Sequence, residues 1–251
     1  MKTNQVMEVA LRAGEILLTN GAEIHRVEDT VIRICRSYNI EAECFVLPTG
    51  IFVTAVGKDE NPVSFIKRIK GRTVDLKKVE RVNSFSRSLK RNPVSYSEAD
   101  KALNEIAGEK GFNFVTRLVV AGITAFIFTL LFKGSIYDSI ASFFIGMLIY
   151  ISKVKISRAG IFEFFEYFAS GLVAGGVSLA VVKLFPVLNI YRIIISSIII
   201  LLPGVAITSA LTDALHGDIV SSQFRLAEAV FIAVAVGVGV GIVLSLGLRY
   251  L

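Results

Sequence analysis

The residues best suited to chemistry are ionisable groups set among apolar neighbours. Asp213 and Asp218 stand in Thr212-Asp213-Ala214-Leu215-His216-Gly217-Asp218, just beyond a long apolar run. A carboxylate there can pair with an ammonium group, or titrate if burial raises its pKa. The plainer alternative is a solvated loop. Arg225 and Glu228 follow at a spacing that allows pairing along a helix. Glu163 and Glu166 have the same spacing in Phe162-Glu163-Phe164-Phe165-Glu166-Tyr167-Phe168. They read either as ligand-facing carboxylates or as acids in an aromatic belt at a helix N-terminus. Pro203-Gly204 interrupts an apolar segment after residues 193–202. Pro removes an intrahelical hydrogen bond and Gly adds backbone freedom. The result is a packing kink, or a discontinuous helix whose freed backbone groups hold a ligand.

A second group lies near the N-terminus. Ile24, Val27, Val31, Ile34, Cys35 and Tyr38 form one helical stripe, with Glu28 at its edge. An unpaired buried carboxylate is costly. Glu28 therefore either ties helix to sheet, or shares a cleft with Thr49 and Gly50 as a gate or antechamber. Arg26 points elsewhere on the helix, a poor partner for Glu28, yet it belongs to the same gate set.

No catalytic residues are expected. The chain has no GxSxG, Walker, HExxH or GxGxxG pattern. His25 and His216 fall in different halves, so no metal site and no cofactor is expected. Cys35 and Cys44 read as reduced, partly buried thiols.

The elements that carry these groups follow from composition. Of 251 residues, 53% are hydrophobic and 19% charged, against about 25% charged in an average domain. Residues 1–114 hold 18 basic and 15 acidic residues, and residues 115–251 hold 9 and 6. The first part is charge-dense with interspersed signs, which argues against nucleic-acid binding. The second is apolar enough for the lipid bilayer. Spans of about 20 apolar residues are readable at 115–132, 136–152, 161–182, 190–211 and 224–248. Gly171, Gly175 and Gly176, with Gly237, Gly239 and Gly241, mark close helix packing, a subunit interface or a thin-walled path. Residues 1–20 are amphipathic rather than a signal peptide. Together with Lys153, Lys155 and Arg158 in the loop at 152–160, this puts the N-terminus in the cytoplasm and the C-terminus, with Arg249, outside.

In the first part, Val6, Val9, Ala10, Ala13 and Leu17 predict one helix ended by Asn20-Gly21. Residues 40–47, 51–57 and 63–69 read as strands, with a turn at Lys58-Asp59-Glu60-Asn61. Helices are expected at 75–91 and 97–108, capped by Asp75 and by Ser97 with Asp100. The expected fold class is an α+β cytoplasmic domain (1–112) followed by an all-α transmembrane bundle of five helices (113–251).

Gly21-Ala22-Glu23, Arg26-Val27-Glu28-Asp29-Thr30, Pro48-Thr49-Gly50-Ile51, Leu202-Pro203-Gly204, Asp213, Gly217-Asp218 and Arg225 occur in an order that resembles the threonine/serine exporter family. The resemblance runs along most of the chain, and it looks like the longer, five-span subunit of the split form. It implies export of threonine, serine or a succinate-like carboxylate across the inner membrane, with a second short all-membrane subunit as partner. With no ATP site, a gradient would drive it. The other readings are a dicarboxylate exporter subunit, and a membrane-anchored ligand-binding scaffold or hydrolase.

Overall fold

A computed structural model describes residues 1–56, 62–158, 160 and 162–247. The expected turn at Lys58–Asn61, the span limits Ile161 and Leu248, and Arg249 lie outside the described residues. In chain order the elements are α1 (Thr3–Thr19), α2 (Ile24–Ser37), β1 (Glu41–Leu47), β2 (Gly50–Val56), β3 (Val63–Arg68), α3 (Leu76–Arg91) and α4 (Tyr96–Gly108). Then come α5 (Phe114–Leu131), α6 (Ile136–Ser157), α7 (Glu163–Leu184), α8 (Ile190–Ile198), a 3-10 turn (Ile199–Leu201), α9 (Gly204–Leu215) and α10 (Ile219–Gly247).

The chain divides into two compact units. The first joins Met1–Gly111 to Val205–Leu226. Its sheet is an antiparallel meander in the order β1-β2-β3. α1 and α2 bury their apolar stripes together, and Val6, Leu17, Ile24, Val31 and Ile34 share one core with Ile51 and Val53 of β2. The opposite face of the sheet leaves the cross-strand row Phe45, Phe52 and Ile66 exposed. α1 ends where Gly21 takes φ +90, a conformation that Gly adopts without steric cost. α3 starts as expected, with the Asp75 carboxylate accepting from Lys78 N–H. The N-cap of α4 lies two residues earlier than expected. Ser95, not Ser97, is its N-cap, because the Glu98 carboxylate reaches back to the Ser95 amide and hydroxyl and completes a capping box.

The second unit comprises Phe112–Gly204 and Ala227–Leu251, as far as these are described. α5 packs on α6, α6 on α7 and α8, and α8 on α5 and α7. Ile145, Ile149, Ala174, Ile193, Val236 and Val240 fill the core. Val120, Ile127, Leu131 and Phe144 are exposed, as lipid-facing side chains are. α7 meets α10 through its glycines. A Cβ added at Gly171 would lie 2.6 Å from the Val236 carbonyl oxygen, and one at Gly239 would collide with that of Phe168.

This architecture corrects the expected fold class. Among the described residues there are ten α-helices and one sheet of three strands, so helices dominate both units. Four helices, α5, α6, α7 and α10, are individually long and apolar enough to cross a membrane. A fifth span exists only if α8 and α9, bent at the Leu202–Pro203 break, are taken as a pair. The first unit is also no free-standing α+β domain followed by a separate bundle. It takes in α9 and the start of α10, both parts of candidate spans. Hydrophobic periodicity reports which face of an element is buried, but not which distant segment buries it.

The glycine crossing generates a contrast. Gly171→Ala should lower thermal stability in detergent, by about 1–3 kcal/mol for overpacking against backbone. Gly176→Ala, whose added Cβ meets nothing within 4 Å, should be neutral or slightly stabilising.

Candidate functional site

The start of α2 lacks the local cap that most helices carry. The N-cap residue, Glu23, makes no side-chain cap bond; its carboxylate sits 3.1 Å from Arg26 Nε. Asp213 of α9 supplies the missing acceptor. Its Oδ1 accepts from Ile24 N–H at 3.0 Å, satisfying one of the donors that a helix start leaves open. Its Oδ2 lies 3.0 Å from Arg225 Nε, with side-chain exposures of 0% and 6%. Arg225 Nη2 in turn donates to the Ala22 carbonyl at 2.8 Å. A buried ion pair thus clamps both ends of the Ala22–Ile24 turn.

Other titratable groups gather around this clamp. His25 and His216 stack face to face, with ring centroids 3.7 Å apart and planes 3° from parallel. This overturns their assignment to separate halves: α9 brings His216 into the first unit. His216 Nδ1 is 2.8 Å from the Thr212 carbonyl oxygen, while His25 Nδ1 is buried with no hydrogen-bond partner. Asp218 is half-buried behind Gly217, which takes φ +89, and its amide donates to the Asp213 carbonyl. Glu28, one helical turn beyond Ile24, accepts from Val46 N–H of β1 at 2.9 Å. Burial pushes the Glu28 carboxyl above its ordinary range; the Val46 bond opposes this, and the charges of Asp218, Asp29 and Asp213 add to it. The centre holds two imidazoles, three carboxylates and a guanidinium. Among the described residues no group of three or more His, Cys, Asp or Glu is arranged to hold a metal ion. Burial pushes the Cys35 and Cys44 thiols up to about 12, so neither is a ready nucleophile.

The remaining predicted residues are dispersed. Glu28 bonds to β1 at Val46 rather than to the Thr49–Gly50 turn. Thr49 is exposed and its carbonyl accepts from Ile69 N–H, while Gly50 is buried in β2. Arg26 and Glu23 line a cavity of about 400 Å³ with Glu80, Asn83, Arg87 and the Thr208 and Ser209 hydroxyl residues of α9. Glu163 and Glu166 open α7, the first exposed and the second buried. At Pro203 the helix stops: Leu202 is extended (φ -70, ψ 138), and α9 begins at Gly204. The sequence reading missed the Asp213–Arg225 pair. It also missed the Ser142, Ser178 and Ser197 hydroxyls, buried in α6, α7 and α8 without a hydrogen-bond partner. Their signal was polar residues recurring inside otherwise apolar helices.

Residues 8–247 match the family described as "Putative threonine/serine exporter". The chain belongs to the threonine/serine exporter family. It is also 23% identical, over 238 residues, to a protein of Mycobacterium tuberculosis (strain ATCC 25618 / H37Rv) named "Probable threonine/serine exporter". That match covers 92% of this chain and 44% of the relative, so the chain spans less than half the relative's length. No solved structure matches the chain. With family and apolar helices together, this exporter-family chain is a multi-pass membrane protein. Of the motifs that carried the resemblance, Gly21-Ala22-Glu23, Asp213 and Arg225, dispersed in sequence, meet at the Ala22–Ile24 turn.

Two predictions follow from this geometry. Asp213→Ala should destabilise the first unit by about 3–5 kcal/mol, because the Arg225 charge stays buried without the carboxylate facing it. The double variant Asp213→Leu with Arg225→Met should recover part of that loss, read as thermal midpoints in detergent. For Glu28, the raised pKa means that the folded state holds the proton more tightly than the unfolded chain. Its contribution is therefore full below pH 4.5, the ordinary value, and is lost as pH rises through the folded pKa. Glu28→Gln should be at least as stable as wild type at pH 7, and the difference should shrink as the pH is lowered towards 4.5. A wild type that loses stability relative to the variant on acidification contradicts this.

Proposed function

We propose that this chain is a gradient-driven exporter subunit for a small polar metabolite, either an amino acid such as threonine or serine or a succinate-like carboxylate. It sits in the inner membrane with its N-terminus in the cytoplasm, and a second, short all-membrane chain of the same family completes it. The observation that carries the reading is the broken apolar span. Pro203 has no N–H to donate, Leu202 is extended, and the helix resumes only at Gly204. Transporters use such breaks to bind substrate, and Leu202 and Gly204 are exposed at this one, open to a ligand or to the second chain. The orphaned hydroxyls of Ser142, Ser178 and Ser197 support a polar route among α6, α7 and α8. The basic residues Lys153, Lys155 and Arg158 at the end of α6 support the cytoplasmic orientation. In this reading Asp213 and Arg225 position the turn beside the cavity that Arg26 lines. His25, Glu28, His216 and Asp218 are the groups available to handle a coupling proton.

The test is counterflow of labelled threonine, serine and succinate in vesicles that hold this chain with its partner. Pro203→Ala with Gly204→Ala should insert normally and lose export. Wild-type flux in that double variant would remove the break from the mechanism. The absence of flux for all three substrates in the wild type would favour a ligand-binding scaffold instead.

A further inference from the structure

Away from the clamp, an open hollow of about 510 Å³ between α2 and α3 is lined by Arg33, Arg87, Lys90 and Arg91, the last three exposed. We propose that it is a binding site for a phosphate-bearing anion. This goes beyond the transport reading and does not depend on it.

The lining is cationic throughout. Arg87, Lys90 and Arg91 stand at i, i+3 and i+4 on one face of α3, where like charges repel. Lys90 and Arg91 lie in the last turn of α3, and the helix dipole favours cations there. That accounts for two of the four. It does not account for Arg87 one turn earlier, or for Arg33 converging from α2. Arg33 is also held in place: its Nη1 donates to Ser86 Oγ at 2.9 Å, and that buried hydroxyl donates to the Asn83 carbonyl. Part of the ordering that a ligand would impose on this guanidinium is already present in the fold.

The lining also selects among anions. Among the described residues it includes no carboxylate to receive an ammonium, so a zwitterion is matched on one side only. Three guanidinium forks and an ammonium match several oxygens of high charge density, the pattern of phosphate recognition. The cavity lined by Glu23, Arg26 and Glu80 carries both signs, and Arg87 lines the two cavities in common. An anion in the basic cavity would draw Arg87 towards itself and alter the charge balance of its neighbour.

The shared chemistry is a phosphate group, carried by a soluble phosphate compound or by an anionic lipid headgroup. The test uses the full chain in detergent at low salt, with inorganic pyrophosphate in one arm and mixed micelles of phosphatidylglycerol or phosphatidylcholine in the other. Calorimetry should show saturable binding that weakens as salt is added. Arg87→Gln, Lys90→Gln and Arg91→Gln together should reduce affinity by about tenfold or more, equivalent to about 1.4 kcal/mol. The charge-matched control Lys70→Gln, Lys101→Gln and Lys110→Gln should leave it nearly unchanged. Should the triple variant fail to fold, Lys90→Glu, a single exposed reversal, takes its place with the same expected direction. Pyrophosphate binding lost in the variant identifies a soluble phosphate ligand. Selective loss of phosphatidylglycerol binding identifies a headgroup. If the wild type binds neither probe, or the cavity variant and the control behave alike, the proposal is wrong.

Discussion

The first unit depends on one buried charge pair. Asp213 and Arg225 are almost fully withdrawn from solvent, where an isolated charge of either sign would be prohibitive. They persist because each also serves a backbone group, Asp213 the Ile24 amide and Arg225 the Ala22 carbonyl. That reciprocity makes α9 and the start of α10 part of the unit built on α1 to α4. It fixes where α2 begins, and so where His25 and Glu28 stand. Without it, the His25–His216 stack would be left to hold α9 against the sheet and its amphipathic helices.

Along its length the chain separates rigid and polar tasks. Rigidity comes from small residues: at Gly171 and Gly239 the helices approach backbone to backbone, which only glycine permits. Polarity comes from a few groups placed where the helical pattern fails, at the Pro203 break, at the stacked imidazoles and at serine hydroxyls inside apolar helices.

Local structure was legible in the sequence wherever one element decides it. The stripes Val6–Leu17 and Ile24–Tyr38, the three strands and the Asp75 cap are each set by spacing within a short window, and all are found. Ser95 was misjudged by two residues, because two serines compete for the cap and the choice rests on whether an acid three residues on can reach back. What could not be read was association at a distance. Nothing in the sequence around His25 says that it stacks on His216, and Glu28 found Val46 rather than the adjoining turn because hairpin register sets which amide faces the helix. The same limit explains the mistaken fold class. Charge density divides this chain near residue 114, whereas packing gives part of the apolar half back to the first unit.

The clamp also sets a timetable. The Ile24 amide and the Asp213 carboxylate are 189 residues apart, and Ala22 and Arg225 are 203 apart. At the usual pace of translation, the second half of each contact emerges about 10–40 s after the first. For that interval the nascent chain presents α2 with an unfinished beginning, while the apolar helices between are made and inserted. Closure of the turn therefore waits until synthesis has passed Arg225, and a chain stalled before Asp213 carries its amino-terminal segment unlatched.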